Sequence, residues 1–241
     1  MEQKNRRFNC LFQKDDEAKS YKLYINDVIE GDGWYTKSET GANYFADKLS
    51  EVPEDATLEI HINSDGGDVY EATAIYNLLK QHKATKVGIV DGHAFSAAAF
   101  ILQACDERVM LDGTTMLVHN AWTFAIGNAK ELRKVADDLD TVMESNRKLF
   151  LQKCKLSEDE LMKLMDEDKI ISAEKALEYG FTDRIGSNTA EDPEEGPEES
   201  PEEEPEGSPE EGPEPEEVPV GAPAQTRKDW SAAAKYFKKF Y

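Results

Sequence analysis

The chain has 241 residues, of which 50 are acidic and 28 are basic, so its formal charge at neutral pH is −22. An acidic chain without a basic stripe argues against nucleic acid as a partner. The N-terminus has no secretory signal, and no apolar stretch of 18 residues exists, so we expect neither export nor a transmembrane helix. Three cysteines at unpaired spacings favour a reducing compartment, and we expect a cytoplasmic protein without a bound metal.

The C-terminal part of the chain differs in composition from the rest. Residues 191–217 contain fifteen acidic residues and no basic one, and proline recurs there at nearly every fourth position. Such a segment has no apolar surface to bury, so we predict a disordered acidic Pro-rich linker over residues 189–225. Residues 226–241 are basic and aromatic, and two interpretations stay open, a short docking helix and a frayed end.

Upstream of the linker, strand and helix patterns alternate along residues 20–188, after an N-terminal extension of residues 1–19. Period-two alternation predicts strands over 21–25, 57–63, 85–90, 108–111 and 115–118. Helical spacing and capping residues predict helices over 42–49, 69–79, a run after Ser96, a long helix over 130–153, one opened by a capping box at Ser157, and one from Ser172 to Gly180. This order predicts an α/β fold with a largely parallel sheet.

The stretch around Ser96 is the first candidate for chemistry. A predicted strand leads into Gly92-His93-Ala94-Phe95-Ser96, and an Ala-rich helical run leads out. A serine at a strand-to-helix turn presents its hydroxyl to a cleft, beside backbone N–H groups that no helical carbonyl satisfies. Taken alone, however, such a serine is more often a helix N-cap than a nucleophile.

Gly66 and Gly67 also lie between a predicted strand and the helix that follows it. Adjacent glycines allow backbone geometry closed to other residues and a close approach of a ligand. Three interpretations compete: a plain turn, a phosphate cradle, and a backbone N–H aimed at a developing oxyanion. The cradle is the weakest, because neither the dinucleotide fingerprint nor the P-loop spacing is present.

A nucleophilic serine needs a base, and the chain has four histidines. His61 alternates onto the polar face of its strand, His82 lies among lysines, and His93 lies three residues before Ser96. His119 ends an apolar run whose strand would deliver its ring to a sheet edge. A triad also needs a carboxylate to fix the imidazole tautomer, and composition cannot choose one among 50 acidic residues. No lysine in residues 1–190 occupies an obvious motif position, which disfavours a Ser–Lys peptidase.

Several motifs together resemble the proteolytic subunit of the Clp protease (ClpP). They are Ile62-Asn63-Ser64-Asp65-Gly66-Gly67, then Gly92-x-Ala94-x-Ser96 with the serine 29 residues after Gly67, then Met116-Leu117-Val118-His119, and the run from Asp168 to Gly180. The resemblance covers roughly residues 20–186. It implies a ClpP/crotonase-like fold of repeated strand-strand-helix units with a protruding long helix. It also implies a serine endopeptidase that cleaves polypeptides, assembles as a homo-oligomeric ring and uses no cofactor.

By this resemblance the family's functional positions fall on seven residues of this chain. They are the nucleophile Ser96, the general base and acid His119, the orienting carboxylate Asp168, the backbone oxyanion donors Gly67 and Ala97, and the substrate-binding residues Gly66 and Phe95. Asp166 and Glu167 lie close enough in sequence to make Asp168 the assignment most open to challenge.

Three positions depart from the pattern of bacterial ClpP. That family typically has Pro where this chain has Asp65, Ala where it has Phe95, and Pro two residues after the histidine, here Ala121. The N-terminal segment does not look like loops that engage an unfoldase ring, so an unfoldase partner is doubtful. With the Glu/Pro-rich tail, these features look more like the ClpP-related head-maturation (prohead) proteases of tailed bacteriophages. That similarity implies action in the host cytoplasm, inside the immature capsid, on scaffold or capsid protein and on the protease itself.

Three other functions remain open at this stage. The first is a bacterial housekeeping-type ClpP subunit. The second is an enoyl-CoA hydratase-type enzyme, which shares the fold and a two-amide oxyanion hole but uses glutamates on a thioester. The third is a non-enzymatic capsid scaffold or assembly factor on a ClpP-like fold.

Overall fold

A computed structural model of the chain describes residues 10–15, 17, 19–33 and 37–187. The predicted linker over 189–225 and the segment 226–241 lie outside the described residues. The strands are β1 Cys10–Asp15, β2 Ser20–Ile25, β3 Thr57–Ser64, β4 Thr85–Phe95, β5 Glu107–Leu111, β6 Thr115–Leu117, β7 Ile171–Ser172 and β8 Arg184–Gly186. The helices are α1 Ala42–Leu49, α2 Val69–Gln81, α3 Ala97–Leu102, α4 Ala129–Phe150, α5 Glu158–Glu167 and α6 Ala173–Tyr179.

The strands form one sheet in the order β1-β2-β3-β4-β5-β8, and the predicted α/β fold is confirmed. The pairs from β2 to β8 along this path are parallel, while β1 lies antiparallel to β2 at the edge. The short strand β6 pairs in parallel with the end of β4 and antiparallel with β7. Alternating residues of β3, Leu58, Ile60 and Ile62, are fully buried, so the predicted apolar face of this strand is a core face.

The predicted helix boundaries follow from caps that the structure contains. Ser157 accepts a hydrogen bond from the Glu160 N–H at 3.3 Å, and the Glu160 carboxylate accepts one from the Ser157 N–H at 2.8 Å, so the capping box is confirmed. Ser172 caps α6, and Gly180 ends it in the left-handed conformation with φ of 78°. A further capping box at Asn128 begins α4.

The structure corrects the strand prediction at four places. No strand was predicted within the extension 1–19, yet β1 lies there. β4 was expected to stop at residue 90 but continues to Phe95, because its last three residues pair with β6. The two- and three-residue strands β7 and β8 are too short to show periodicity. They exist because β6 and β5 offer them an edge to pair with.

Candidate active site

Three chain segments meet at the carboxyl ends of neighbouring parallel strands. Ser64 at the end of β3 lies opposite Ala94 of β4, and Phe95 at the end of β4 lies opposite Leu117 at the end of β6. The residues that follow these strand ends therefore lie at one edge of the sheet, where open α/β sheets bind their ligands. Those residues include Gly66 and Gly67 after β3, Ser96 after β4, and His119 after β6.

Ser96 occupies the turn between β4 and α3 in a strained backbone conformation. Its φ is 54° and its ψ is −121°, in a region that residues with a side chain seldom adopt. Its N–H donates to the Leu117 carbonyl at 2.8 Å, which fixes the turn against β6. The Ser96 side chain makes no capping hydrogen bond although it stands at the N-cap position. The capping interpretation is therefore wrong, and the strain needs another explanation.

His119 and Asp168 come together although 49 positions separate them in the sequence. The His119 Nδ1 atom lies 3.2 Å from Oδ1 of Asp168. The His119 side chain is 15% exposed, whereas Asp168 is 67% exposed. Asp168 ends α5 in the left-handed conformation, with φ of 49° and ψ of 47°, and this turn directs the carboxylate back toward the ring. Because Nδ1 faces the carboxylate, Nε2 is the ring nitrogen available to a serine hydroxyl.

Asp166, one of the two neighbouring candidates for the orienting carboxylate, has a different partner. Its Oδ1 accepts a hydrogen bond of 2.7 Å from the Asn120 side-chain amide. Asn120 directly follows His119, so the Asn120–Asp166 and His119–Asp168 contacts join the same two segments. The geometry favours Asp168 over Asp166 as the group that orients the ring. Glu167 is the last residue of α5.

Gly66 and Gly67 occupy a segment that no other residue would fit. Gly66 has φ of 90° and Gly67 has φ of 148°. A Cβ on Gly66 would lie 2.5 Å from the Phe95 carbonyl oxygen and 2.8 Å from the Ser96 Cβ, and one on Gly67 would lie 2.1 Å from the Ile29 carbonyl oxygen. Gly66 therefore allows this backbone to lie directly against the serine turn, and Gly67 allows it to lie against Ile29.

The backbone direction at Gly67 follows from its bridge to Ile29. The Ile29 N–H donates to the Gly66 carbonyl at 2.7 Å, and the Asp68 N–H donates to the Ile29 carbonyl at 2.8 Å. Because N–H groups alternate in direction along an extended segment, the Gly67 N–H points away from Ile29. Ala97 is the first residue of α3, so its N–H has no hydrogen-bond acceptor within the helix.

One cavity of about 680 Å³ contains the site. Six of the seven predicted functional residues line it: Gly66, Gly67, Phe95, Ser96, Ala97 and His119. Asp168 is not part of the lining and lies behind the histidine. The volume falls in the range of ordinary ligand pockets, and no glutamate lines it among the residues that the structure describes. The hydratase chemistry, which needs glutamates, is not supported there.

Sequence reasoning missed the side chains that form the far wall of this cavity. They come from the middle of α4, with Val135, Leu139, Val142 and Met143 as its apolar members, and from the exposed Trp122 in the segment before it. The apolar stripe of α4 was visible in the sequence, but nothing in a stripe says which neighbour it faces.

The other three histidines have partners of their own. His61 lies between Asp91, whose carboxylate oxygens are 3.0 Å from Nδ1, and Glu59, 3.3 Å from Nε2. The pKa of His61 is raised because these carboxylates outweigh the opposing effect of burial. His82 Nε2 lies 3.2 Å from the Val52 carbonyl, and His93 Nε2 lies 3.0 Å from Asp65.

The described residues contain neither a metal-binding cluster nor a membrane-spanning helix. In the part of the chain that the structure describes, no group of three or more His, Cys, Asp or Glu residues is placed to hold a metal ion. Likewise, no helix within the described ranges is long and apolar enough to cross a membrane.

Comparison with known proteins identifies the family. Residues 42–189 match the family model described as Clp protease. An ATP-dependent Clp protease proteolytic subunit of Deinococcus radiodurans is 28% identical over 72% of this chain and 88% of its own length. Subunits of the same description from Chlorella vulgaris, at 27% over 58% and 71%, and Tropheryma whipplei, at 33% over 55% and 67%, are also similar. The chain belongs to the Clp protease family, a family of serine peptidases.

Proposed function

We propose that this protein is a serine endopeptidase in which Ser96, His119 and Asp168 form the catalytic triad. The contact between His119 and Asp168 carries the proposal, because it orders a histidine at the edge of a cavity that a strained, non-capping serine also lines.

In the acylation step, the Ser96 hydroxyl attacks the carbonyl carbon of the scissile peptide bond while His119 Nε2 accepts its proton. The carbonyl oxygen becomes an oxyanion, which the Gly67 and Ala97 N–H groups stabilise by hydrogen bonds. Asp168 holds the Nδ1–H tautomer and stabilises the imidazolium. His119 then donates its proton to the leaving amine as the C–N bond breaks.

In the deacylation step, a water molecule replaces the amine. His119 accepts a proton from the water, whose oxygen attacks the acyl carbon, and the same two N–H groups stabilise the second oxyanion. The proton returns to Ser96 Oγ as the ester bond breaks and the new carboxyl terminus leaves. No step requires a cofactor.

The setting that we propose is capsid maturation in a tailed bacteriophage. The substrates would be scaffold or capsid protein, and the protease itself, in the host cytoplasm inside the immature capsid. Support comes from Asp65, Phe95 and Ala121, where the chain departs from bacterial ClpP, and from its acidic Pro-rich tail. A homo-oligomeric ring follows from family membership, and we propose that α4 lies between subunits.

A housekeeping role is the second candidate, because the similar bacterial and algal proteins are described as subunits of the ATP-dependent Clp protease. Co-expression with the capsid gene separates the two. New protein termini that appear with the wild-type enzyme but not with Ser96→Ala support maturation. Cleavage only in the presence of an added unfoldase and ATP supports the housekeeping role.

The direct test of the triad is covalent labelling with a fluorophosphonate, followed by peptide hydrolysis. We expect Ser96→Ala to abolish labelling and to lower kcat by about 10⁴- to 10⁶-fold. A variant that lacks Ser96 and still hydrolyses peptides at the wild-type rate would refute the proposal.

A further inference from the structure

A second histidine–carboxylate contact lies beside the proposed triad and takes no part in it. His93 is near the end of β4, three residues before Ser96, and Asp65 lies directly before the two glycines. The His93 Nε2 atom is 3.0 Å from Asp65 Oδ1. The contact thus joins the segment that carries the nucleophile to the segment that carries an oxyanion donor.

Strand pairing gives little support at this point of the sheet. From Thr57 to Ile62, β3 pairs with β4 in regular register, but the register then shifts. Only one further pair, Ser64 with Ala94, follows the shift. Beyond it the chain leaves β4 and bridges to Ile29 instead. The position of the glycines relative to Ser96 therefore depends on contacts other than the ladder.

His93 has a second contact that bears on the cavity. Its ring packs against the Phe95 ring, with centroids 4.6 Å apart and planes tilted by 55°. Phe95 and Asp65 both line the cavity. One imidazole therefore contacts both the aromatic ring before the nucleophile and the carboxylate before the glycines.

We propose that His93 and Asp65 are positioning residues that hold the Gly66–Gly67 segment at the distance from Ser96 that oxyanion stabilisation requires. The inference rests on the proposed function, since it assigns the pair to that same reaction. The contact acts on the transition state more than on substrate binding, because the donor must match the oxyanion rather than the ground-state carbonyl. Its loss should lower kcat and leave KM nearly unchanged.

The chain offers a matched control for this pair. His61 and Asp91 also join β3 to β4, and Nδ1 of His61 lies 3.0 Å from Asp91. Unlike His93, His61 lies within the regular part of the register, opposite Ile89, and neither member lines the cavity. A contact that only stabilises the sheet should behave alike at both places, whereas a positioning contact should matter for turnover only at Asp65 and His93.

The experiment measures kcat and KM of full-length variants on one fluorogenic peptide, with wild type and Ser96→Ala in the same series. We expect Asp65→Ala to lower kcat about 10-fold and to leave KM within about two-fold. A misplacement of about 1 Å costs about 10²-fold in rate, and we expect the glycine segment to shift by less than that. His93→Ala should lower kcat similarly. The double variant should lose no more than either single one, because both remove the same contact. His93→Gln keeps an N–H donor and should recover most of the activity.

Each outcome decides the inference. Asp91→Ala should leave kcat within about two-fold of wild type, because the regular ladder holds those strands together. If Asp65→Ala retains wild-type kcat, or if the losses of the two single variants multiply in the double variant, the pair does not position the site. In that case Ser96-dependent turnover by the wild type leaves the proposed function intact. A wild type whose hydrolysis does not depend on Ser96 overturns both proposals.

Discussion

Two strand-to-helix turns lie side by side at the cavity, and they are built differently. The turn from β3 into α2 ends at Asp68, which has ordinary extended geometry with φ of −65°. Its carboxylate accepts hydrogen bonds from the Tyr70 and Glu71 N–H groups at 2.7 and 3.1 Å. The turn from β4 into α3 ends at Ser96, which has φ of 54° and caps nothing. Both residue types are favoured N-caps, so residue identity does not explain the difference.

The comparison shows that a helix start can serve stability or chemistry. Asp68 satisfies backbone donors that would otherwise lack partners, and it stabilises α2. Ser96 leaves the corresponding donors of α3 unsatisfied by its side chain and holds a strained backbone. The free-energy cost of the strained Ser96 backbone is offset by burial of the residues that follow, since every residue of α3 is buried. The unsatisfied N–H groups and the uncommitted hydroxyl are what the proposed reaction needs.

Among the changes that probe this comparison, the largest effect is expected from Asp168, which contacts the histidine beside the second turn. Asp168→Asn should lower kcat by about 10⁴-fold, because an amide no longer fixes the productive tautomer of His119. Asp166→Asn is the matched control and should lower kcat much less, because Asp166 bonds to Asn120 instead. Peptide hydrolysis by both purified variants provides the measurement. Equal losses would mean that the two carboxylates share the role and that the assignment is wrong.

A smaller effect is expected from the glycine that lies against Ile29 and carries a proposed oxyanion donor. Gly67→Ala should lower kcat by about 10²- to 10³-fold, the cost of losing one oxyanion donor, because the new Cβ displaces the backbone from Ile29. Gly113→Ala is the control, since Gly113 also has positive φ, 79°, but has open space around it. That variant should keep its kcat and lose about 1 kcal/mol of stability. Circular dichroism checks that both variants are folded.

The smallest effects have opposite signs at the two turns. Asp68→Ala should destabilise the protein by about 1 kcal/mol through loss of the cap. Ser96→Gly should be more stable than Ser96→Ala by about 1 kcal/mol, because glycine adopts positive φ without strain. Urea unfolding of the three variants measures both differences. Equal stability of the Gly and Ala variants at position 96 would show that the turn stores no strain.

Much of the fold was accessible from the sequence because most elements bury one face. The stripes of α1 and α2 and the alternation of β3 are local patterns, and they gave the α/β class and the order of the elements. The elements that the sequence did not predict depend on pairing with neighbouring strands. β7 and β8 are two and three residues long, and the last residues of β4 exist as strand only because β6 lies beside them.

The candidate site shows the same division. The resemblance to the ClpP family singled out Ser96, His119 and Asp168, but the sequence left Asp166 and Glu167 as neighbouring alternatives to Asp168. That distinction depends on the left-handed backbone at the end of α5, which turns one carboxylate toward His119 and leaves the other for Asn120. The role of α4 in the cavity wall could not be predicted for a similar reason, because an apolar stripe along a helix does not show which part of the protein the stripe packs against.

The bridge between Ile29 and the glycine segment has a consequence for what counts as the functional unit. The match to the family begins at residue 42, yet Ile29, β1 and β2 all precede it. The backbone that directs the Gly67 N–H toward the cavity thus depends on a residue outside the range that the family model matches. A fragment that begins at residue 42 would retain every proposed catalytic side chain. It would lose the Ile29 hydrogen bonds that hold the backbone at Gly67, one of the two proposed oxyanion donors. The unit that positions the proposed site is therefore longer than the segment that the family model matches.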